Sequence, residues 1–384
     1  MFNFAHTPTR QTTDVNKSKE TLVRSLKSLR APATTCGLAL AACLGWGPTA
    51  AHAQSNHLTL YGIVDGWAGV QKTKAGAATG SVGMVESGGA QASRWGIKGT
   101  EDLGGGLKLN FVLEQGIAID TGGISTVSAS NGGFNRNSFV RLSGPFGELK
   151  LGRMLTAYDA LRGPVNHLYD SSGFASTGQT WSASTTAGNG LPAVSGSDYL
   201  ARTNNTIQYG TPEYRDFSAA VSVGMGEGGV TATAAPRTVT GNVIYDDDTT
   251  RVGYSFQREF YTTGENRYHL VSGKHRFKAF TVVASLQRQT DHRVTGGQTA
   301  NEYQVGVDVP FGQATVALGY ASSLNRDAQD RKVIDASGIS AMVTYDLSKR
   351  TRLYTAVRQL EVKRGDGSVS SDVLRWGVGV THRF

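Results

Sequence analysis

Thiols are nearly absent from this chain. Its two cysteines, Cys36 and Cys43, both fall in an N-terminal stretch that reads as a removable leader, so the mature protein has no disulfide and no Cys–metal chemistry. Proline is scarce, 9 residues in 384, and Lys-Glu-Leu helical stretches are few, whereas glycine is abundant at 49 and is accompanied by many Tyr and Phe. That balance favours an all-β protein over a helical one. Beyond Ala53 no run of about 18 apolar residues occurs, which excludes a transmembrane helix. A closed β-barrel remains as the way to span a bilayer, because only there is every backbone polar group satisfied inside the structure.

The leader itself is legible. Lys17, Lys19, Arg24, Lys27 and Arg30 form a basic region, an apolar run follows from Thr34 to Trp46, and Ala51-His52-Ala53 is a small-x-small cleavage site. Residues 1–53 are therefore expected to be a signal peptide and residues 54–384 the mature domain. The competing reading is a lipoprotein box, Leu40-Ala41-Ala42-Cys43, which would leave a lipidated Cys43. Cleavage after Ala53 removes six basic and two acidic residues. The remainder carries 32 basic against 28 acidic side chains, a formal +4. That mild excess, with no arginine-rich helix or basic-aromatic repeat, argues against nucleic acid as a partner.

What the mature chain does contain is alternation of period two. Leu107, Leu109, Phe111 and Leu113 share one face, and Lys108, Asn110 and Glu114 the other. Tyr303, Val305, Val307 and Val309 oppose Gln304, Gly306 and Asp308, and near the end Leu374, Trp376, Val378 and Val380 oppose Arg375, Gly377, Gly379 and Thr381. A soluble β-sandwich would also alternate. Three features favour the membrane barrel. Short turns (102–106, 144–147, 211–216, 246–249, 310–313, 346–350) take turns with longer polar segments (71–90, 118–133, 226–239, 290–300, 325–332). Aromatic residues fall at strand ends, namely Tyr61, Trp95, Tyr209, Tyr320, Tyr345, Trp376 and Phe384, as interfacial girdles require. The inner positions carry charges that a dry core could not hold. The spacing predicts sixteen antiparallel strands, an even number: 57–70, 91–100, 107–117, 134–143, 148–154, 199–209, 217–225, 240–245, 251–260, 268–275, 279–289, 301–309, 314–323, 336–346, 352–362 and 372–384.

One stretch breaks the pattern. Leu155–Ser197 is rich in Gly, Ser, Thr and Ala and does not alternate. A structureless segment of about 40 residues in a compact domain is uncommon unless it serves a function. It is expected to fold into the lumen as a constriction loop over 155–198, the alternative being an external surface loop.

The ordered set Leu58–Asp65, Ser93–Gly104, Asn135-Arg136, Phe139-Val140, Leu142–Gly144, Leu151–Arg153, Arg202–Asn205 and the ending Gly377–Phe384 resembles the Gram-negative general porins of beta-proteobacterial type. The resemblance implies a sixteen-stranded trimeric channel whose third external loop folds inward, and a terminal Phe384 read by the barrel-assembly machinery; the alternative for Phe384 is a plain membrane anchor. It implies contact with outer-membrane lipid, passage of small hydrophilic solutes and ions, and no cofactor. The acidic Pro-Glu-Phe-Gly motif often seen in that loop is missing, and the acids of Leu155–Ser197 are Asp159 and Asp170.

A diffusion pore needs a polar wall, a width limit and a transverse field. By alternation Arg94 and Lys98 oppose Trp95 and Ile97, and Arg202 with Thr206 and Gln208 opposes Ile207 and Tyr209. Arg136 matches the lumen arginine of the resembling family, although its parity is shared with Val140 and Leu142. Arg153 shares parity with Leu149 and Leu151, so only a strand end could redirect it. The expected constriction is Arg94, Arg136 and Arg202 facing Glu114, Asp159 and Asp170, with modest anion preference. Other motifs read as loops: Asp120-Thr121-Gly122 lacks the second carboxylate of an acid protease, and Asp246-Asp247-Asp248 lacks further oxygen ligands for Ca²⁺. No mature histidine pair has metal or catalytic spacing, and no enzyme constellation is found; His167 in the inward loop is the one histidine placed to titrate near a pore. The rival functions are a solute-specific channel and a plugged adhesin or structural barrel, which single-channel recording separates.

Overall fold

The structure, a computed structural model, describes residues 57–125, 133–165, 168, 174, 178–182, 199–226, 236–262, 264–291 and 297–384. The leader, Asp170 and His167 lie outside them. Eighteen strand segments follow one another in the described chain: β1 (His57–Ala75), β2 (Ala78–Ser87), β3 (Arg94–Gly104), β4 (Leu107–Ala118), β5 (Gly123–Ile124), β6 (Asn137–Gly144), β7 (Gly147–Leu155), β8 (Arg202–Gly210), β9 (Phe217–Gly224), β10 (Arg237–Asp246), β11 (Thr250–Tyr261), β12 (Gly264–Arg276), β13 (Thr281–Asp291), β14 (Gln298–Phe311), β15 (Ala314–Asp327), β16 (Lys332–Asp346), β17 (Thr351–Arg364) and β18 (Val369–Arg383). They make sixteen staves. β2 and β3 are one stave, since β2 pairs with the upper part of β1 and β3 with its lower part. β5 is a two-residue ladder on the end of β4. All pairings are antiparallel neighbours, and β1 pairs with β18 from Ile63↔Arg383 to Lys74↔Asp372, closing the barrel.

The faces are inverted relative to a soluble protein. Leu58, Leu286 and Ile339 are 70%, 65% and 58% exposed, whereas Ser255, Gln257 and Glu259 are fully buried. Apolar side chains predominate on the outer face of the long strands and polar ones on the inner face, apart from inner residues such as Trp67, Tyr268, Leu270 and Met342. That placement is favourable only when hydrocarbon surrounds the wall and water fills the lumen. The exposed aromatics Tyr209, Tyr320, Tyr345, Trp376 and Phe384 lie on the outer face as expected. Tyr61 does not: it shares the parity of buried Ile63, Asp65 and Trp67, and its hydroxyl donates to Glu114 inside the barrel.

Two expected long loops are not loops of that length. Segment 71–90 holds the upper part of β1 and all of β2, joined at Gly76 in the left-handed region (φ +59°). Small residues dominate Ala78–Ser87 and carry no period-two signal. Segment 325–332 is a tight turn between β15 and β16, closed by the Asp327 amide donating to the Arg331 carbonyl at 3.0 Å. The C-terminus seals the seam. Phe384 and Gly62 exchange two backbone hydrogen bonds of 3.1 Å, and a Cβ on Gly62 would lie 2.3 Å from the Phe384 ring.

Candidate pore constriction

Thr156 opens the inward loop. Its hydroxyl accepts from the Asp159 amide, capping the six-residue helix α1 (Ala157–Arg162), and its own amide donates to the Ala201 carbonyl at 3.0 Å, so the loop leaves and re-enters the wall at one place. From there the described parts lie on the polar inner face of β9 to β17. The Ala157 amide donates to Thr240 at 3.0 Å, Gln304 donates to the Val165 carbonyl at 2.8 Å, Arg251 to the Ala160 carbonyl at 2.8 Å, and the Leu200 amide donates to Glu259 at 2.8 Å. Tyr158 donates to Gln287. Each such bond contributes about 1 kcal/mol net. Apolar contacts add to them. Tyr158, Leu161, Trp181 and Tyr199 pack on Tyr268 and Leu270, while Leu168 and Phe174 pack with Trp67 and Met342, the Phe174 ring edge-on to Trp67 at 4.9 Å.

Gly338 on β16 admits this packing, since a Cβ there would lie 2.3 Å from the Thr180 hydroxyl. The variant Gly338→Val is expected to push the 178–182 turn off the wall. Single-channel conductance should then change measurably and become noisier with the barrel still folded. Conductance identical to the parent would show that the loop is not held there.

The arginines stand on β3, just before β6 and at the start of β8, whereas the described parts of the loop bond to β9 and the strands after it. Glu114 on β4 is their hub. Arg136 Nε donates to it at 2.8 Å, Arg94 Nε lies 3.7 Å away, and the Tyr61 hydroxyl and Asn137 amide donate at 3.0 and 3.2 Å. The side chains of Arg94 and Arg136 keep 22% and 14% exposure against 8% for Glu114, so the cations and not the anion meet the lumen. Lys98 on the same face lies over the Tyr61 ring at 5.3 Å. Arg136 escapes the parity conflict because it precedes β6: its amide bonds the Glu114 carbonyl at 3.1 Å before alternation begins at Asn137. Arg94 and Arg136 meet at the Glu114 carboxylate, and Arg202 opens β8 opposite Leu155 on β7. Simple alternation does not place Arg202, however. The ladder shifts between Gly152 and Met154, and Asn205 takes φ +49°, so parity changes above Thr206. The same irregularity redirects Arg153, which donates to the Asn135 carbonyl at 2.7 Å and to Asn204 at 2.5 Å.

Of the expected acids, Glu114 joins the arginines and Asp170 lies outside the described residues. Asp159 is 4% exposed and accepts the Tyr199 hydroxyl within the loop packing. Alternation along α1 carried no information about this, because Tyr199 comes from 40 residues away. Two further acids on the inner face of the opposite wall, Glu259 and Glu302, also lie under the loop; Glu302 is held by Gln287 and Ser323.

Sequence reasoning missed Asp65. It is completely buried on β1 and accepts from the amides of Gly89, Ala90 and Gln91 (2.8, 3.4 and 3.0 Å), the Tyr354 hydroxyl (2.8 Å) and the Thr381 hydroxyl (2.5 Å). It ties the break between β2 and β3 to β17 and β18, and Arg94 begins the strand just after that break. The only available signal was a lone acid in phase with Ile63 and Trp67.

The remaining motifs resolve locally. Asp247 caps its own turn: hydrogen bonds from the Thr249 amide, the Tyr245 hydroxyl and the Thr250 amide hold its carboxyl well below the usual carboxylate range. Asp120 lies in an exposed turn. Among the described residues no cluster of three or more His, Cys, Asp or Glu could hold a metal.

Comparison with known proteins agrees with this architecture over most of the chain. Outer membrane porin protein 32 of Delftia acidovorans is 34% identical over 366 residues, covering 87% of this chain and 96% of that protein. Major outer membrane protein P.IB of Neisseria gonorrhoeae is 28% identical over 368 residues, covering 85% and 94%. Among solved structures, the anion-selective porin from Comamonas acidovorans superposes with a TM-score of 0.71 at 29% identity, over 86% of this chain and all of that one. The profile of the Gram-negative porins matches residues 35–365. With its closed barrel of sixteen staves and this match over most of its length, the chain belongs to the Gram-negative porin family.

Proposed function

We propose that this outer-membrane channel passes small hydrophilic solutes and ions with a modest preference for anions. Its narrow zone is walled by Arg94, Arg136, Arg202 and Glu114 on one side and by the loop 155–198 on the other. One observation carries the reading: Asp159 within the loop and Glu259 and Glu302 on the wall it packs against are at most 4% exposed, while Arg94 and Arg136 remain in contact with the lumen. A permeating ion therefore meets net positive charge, and the guanidinium groups stay charged at any working pH. The solved relative described as anion-selective supports the same sign.

A homotrimer is part of this reading. β6 to β9 are 8 or 9 residues long, whereas β14 to β18 are 14 or 15. At the usual tilt nine residues rise about 20 Å, short of the hydrocarbon thickness, so that wall needs cover by another subunit. The test is planar-bilayer recording of the detergent-purified assembly in asymmetric KCl. Closures in groups of three and a reversal potential of anion sign are expected; clear cation selectivity would refute the assignment. Phe384 is assigned to recognition by the barrel-assembly machinery, supported by its place at the seam. Its deletion is expected to lower outer-membrane levels several-fold, and normal levels would leave it a mere anchor.

A further inference from the structure

Where the inner wall is apolar, its side chains are mostly covered. Trp67, Tyr268, Leu270 and Met342 lie in buried clusters that include residues of the inward loop. Val112 on β4 and Phe139 on β6 differ. Phe139 faces the lumen, because it alternates with Asn137 and Arg141, whose side chains donate to Glu114 and Asn110 inside the barrel at 3.2 Å each. Val112 lies between Asn110 and Glu114 on its own strand and stands directly opposite Phe139. Both side chains are only half-buried, and neither belongs to a buried cluster among the described residues. The residue opposite Phe139 on β7 is Gly152, so β7 sets no side chain against that edge of the ring.

Charge stands beside this apolar pair. The register runs from Lys98 on β3 to Val112 and on to Phe139, three neighbours in one row across the wall. Strands lie about 4.8 Å apart, so the row spans about 10 Å. Lys98 is exposed, its ammonium lies 5.3 Å from the Tyr61 ring centre, and it pairs with no carboxylate among the described residues. Its neighbours behave otherwise: Arg94 and Arg136 share Glu114, while Arg141 and Lys150 share Glu148 at 3.3 and 2.5 Å. The row sits two residues beyond Glu114, about 7 Å nearer the short turns and so nearer the periplasm. An apolar patch left facing water is unfavourable until an apolar surface covers it. An unpaired ammonium at its edge selects for a negative charge on whatever does so.

We propose that Lys98, Val112 and Phe139 form a subsite for aromatic monocarboxylates, so that the pore favours flat organic acids over small anions of the same charge. The inference rests on the anion-preferring reading above and names a solute class for the same pore. The carboxylate meets the Lys98 ammonium in a charge-assisted hydrogen bond. The ring lies over Val112 and against Phe139, in the offset or edge-on contact that aromatic pairs prefer. A carboxylate without a ring would use Lys98 and leave the patch wet. A neutral ring would cover the patch and leave the ammonium unpaired. A solute carrying both groups is the occupant that matches the whole row, an apolar surface with one placed polar group.

The experiment places the purified full-length porin in planar bilayers at low salt and measures the concentration of benzoate, acetate or benzamide that halves the chloride current. Benzoate is expected to act at a concentration at least about fivefold lower than acetate, the scale of covering one ring face beside another ring. Benzamide, the same ring without the charge, should act no better than acetate. In Phe139→Ser the difference between benzoate and acetate should disappear. Phe139→Leu keeps apolar volume without the flat ring and should retain part of the difference, which preserves the test if the serine variant does not fold. Lys98→Gln should weaken benzoate and acetate together. Val140→Ala, on the outer face of the same strand, should behave like the parent. Equal action of benzoate and acetate on the parent would overturn the proposal. So would a benzoate preference that survives Phe139→Ser, or benzamide acting as strongly as benzoate. The reversal potential in the same recordings separates two failures. An anion sign without benzoate preference removes this subsite alone, whereas a cation sign removes the anion reading and the subsite with it.

Discussion

Replacing Arg94, Arg136 and Arg202 together by Gln is expected to abolish the anion preference and turn it toward cations. In water a unit charge about 8 Å from a permeating ion contributes roughly 0.5 kcal/mol, and the low-dielectric wall raises that figure. Three such charges amount to about 1.5 kcal/mol or more, a shift of at least about tenfold in the anion-to-cation permeability ratio. The sign reverses because Glu114 stays behind without the Arg136 and Arg94 contacts at 2.8 and 3.7 Å. Zero-current potential across a tenfold KCl gradient measures this directly. The difference between parent and variant should shrink at 1 M salt, where screening acts over about 3 Å. An unchanged potential at low salt would remove these arginines from the conduction path.

Asp65→Ala is expected to destabilise the barrel by about 3–5 kcal/mol, because it removes one fully buried acceptor shared by several neutral donors. The carboxylate is fully buried, and its removal takes the acceptor from the Gln91 amide and from the hydroxyls of Tyr354 and Thr381. Buried donors left without acceptors are each unfavourable by about 1–3 kcal/mol. The urea concentration at which the folded, fast-migrating band is lost should fall accordingly. Asp65→Asn should lose less stability, since one oxygen still accepts. It should still shift the reversal potential, because the segment that launches Arg94 is held by both oxygens. A parent-like unfolding midpoint for Asp65→Ala would make the buried network incidental.

Much of the architecture was legible because the information is local. Each long strand separates two solvents, so residues such as Leu286 and Gln287 record outside and inside at successive positions, and sixteen crossings could be counted before any coordinates. β2 escaped because a run of Ala, Thr, Gly and Ser has no period to detect. Arg94 and Glu114 could be placed from alternation alone, since both lie in regular ladder. Arg136, Arg153 and Arg202 could not, as their directions depend on where β6 begins and on the shift between Gly152 and Met154.

By itself, the order of residues settled that the chain closes into a membrane barrel and which residues carry charge toward water, for period two is a property of the backbone and needs no distant partner. Which of those charges meet a passing ion was settled by folding. Asp159 and Glu259 are buried where the loop packs on the wall, Asp65 gathers donors up to 316 residues away, and the outward Arg237, Arg258, Arg267 and Arg288 align across four strands. Register and loop burial join segments that no local period connects, and electrostatics depends on the distances that result.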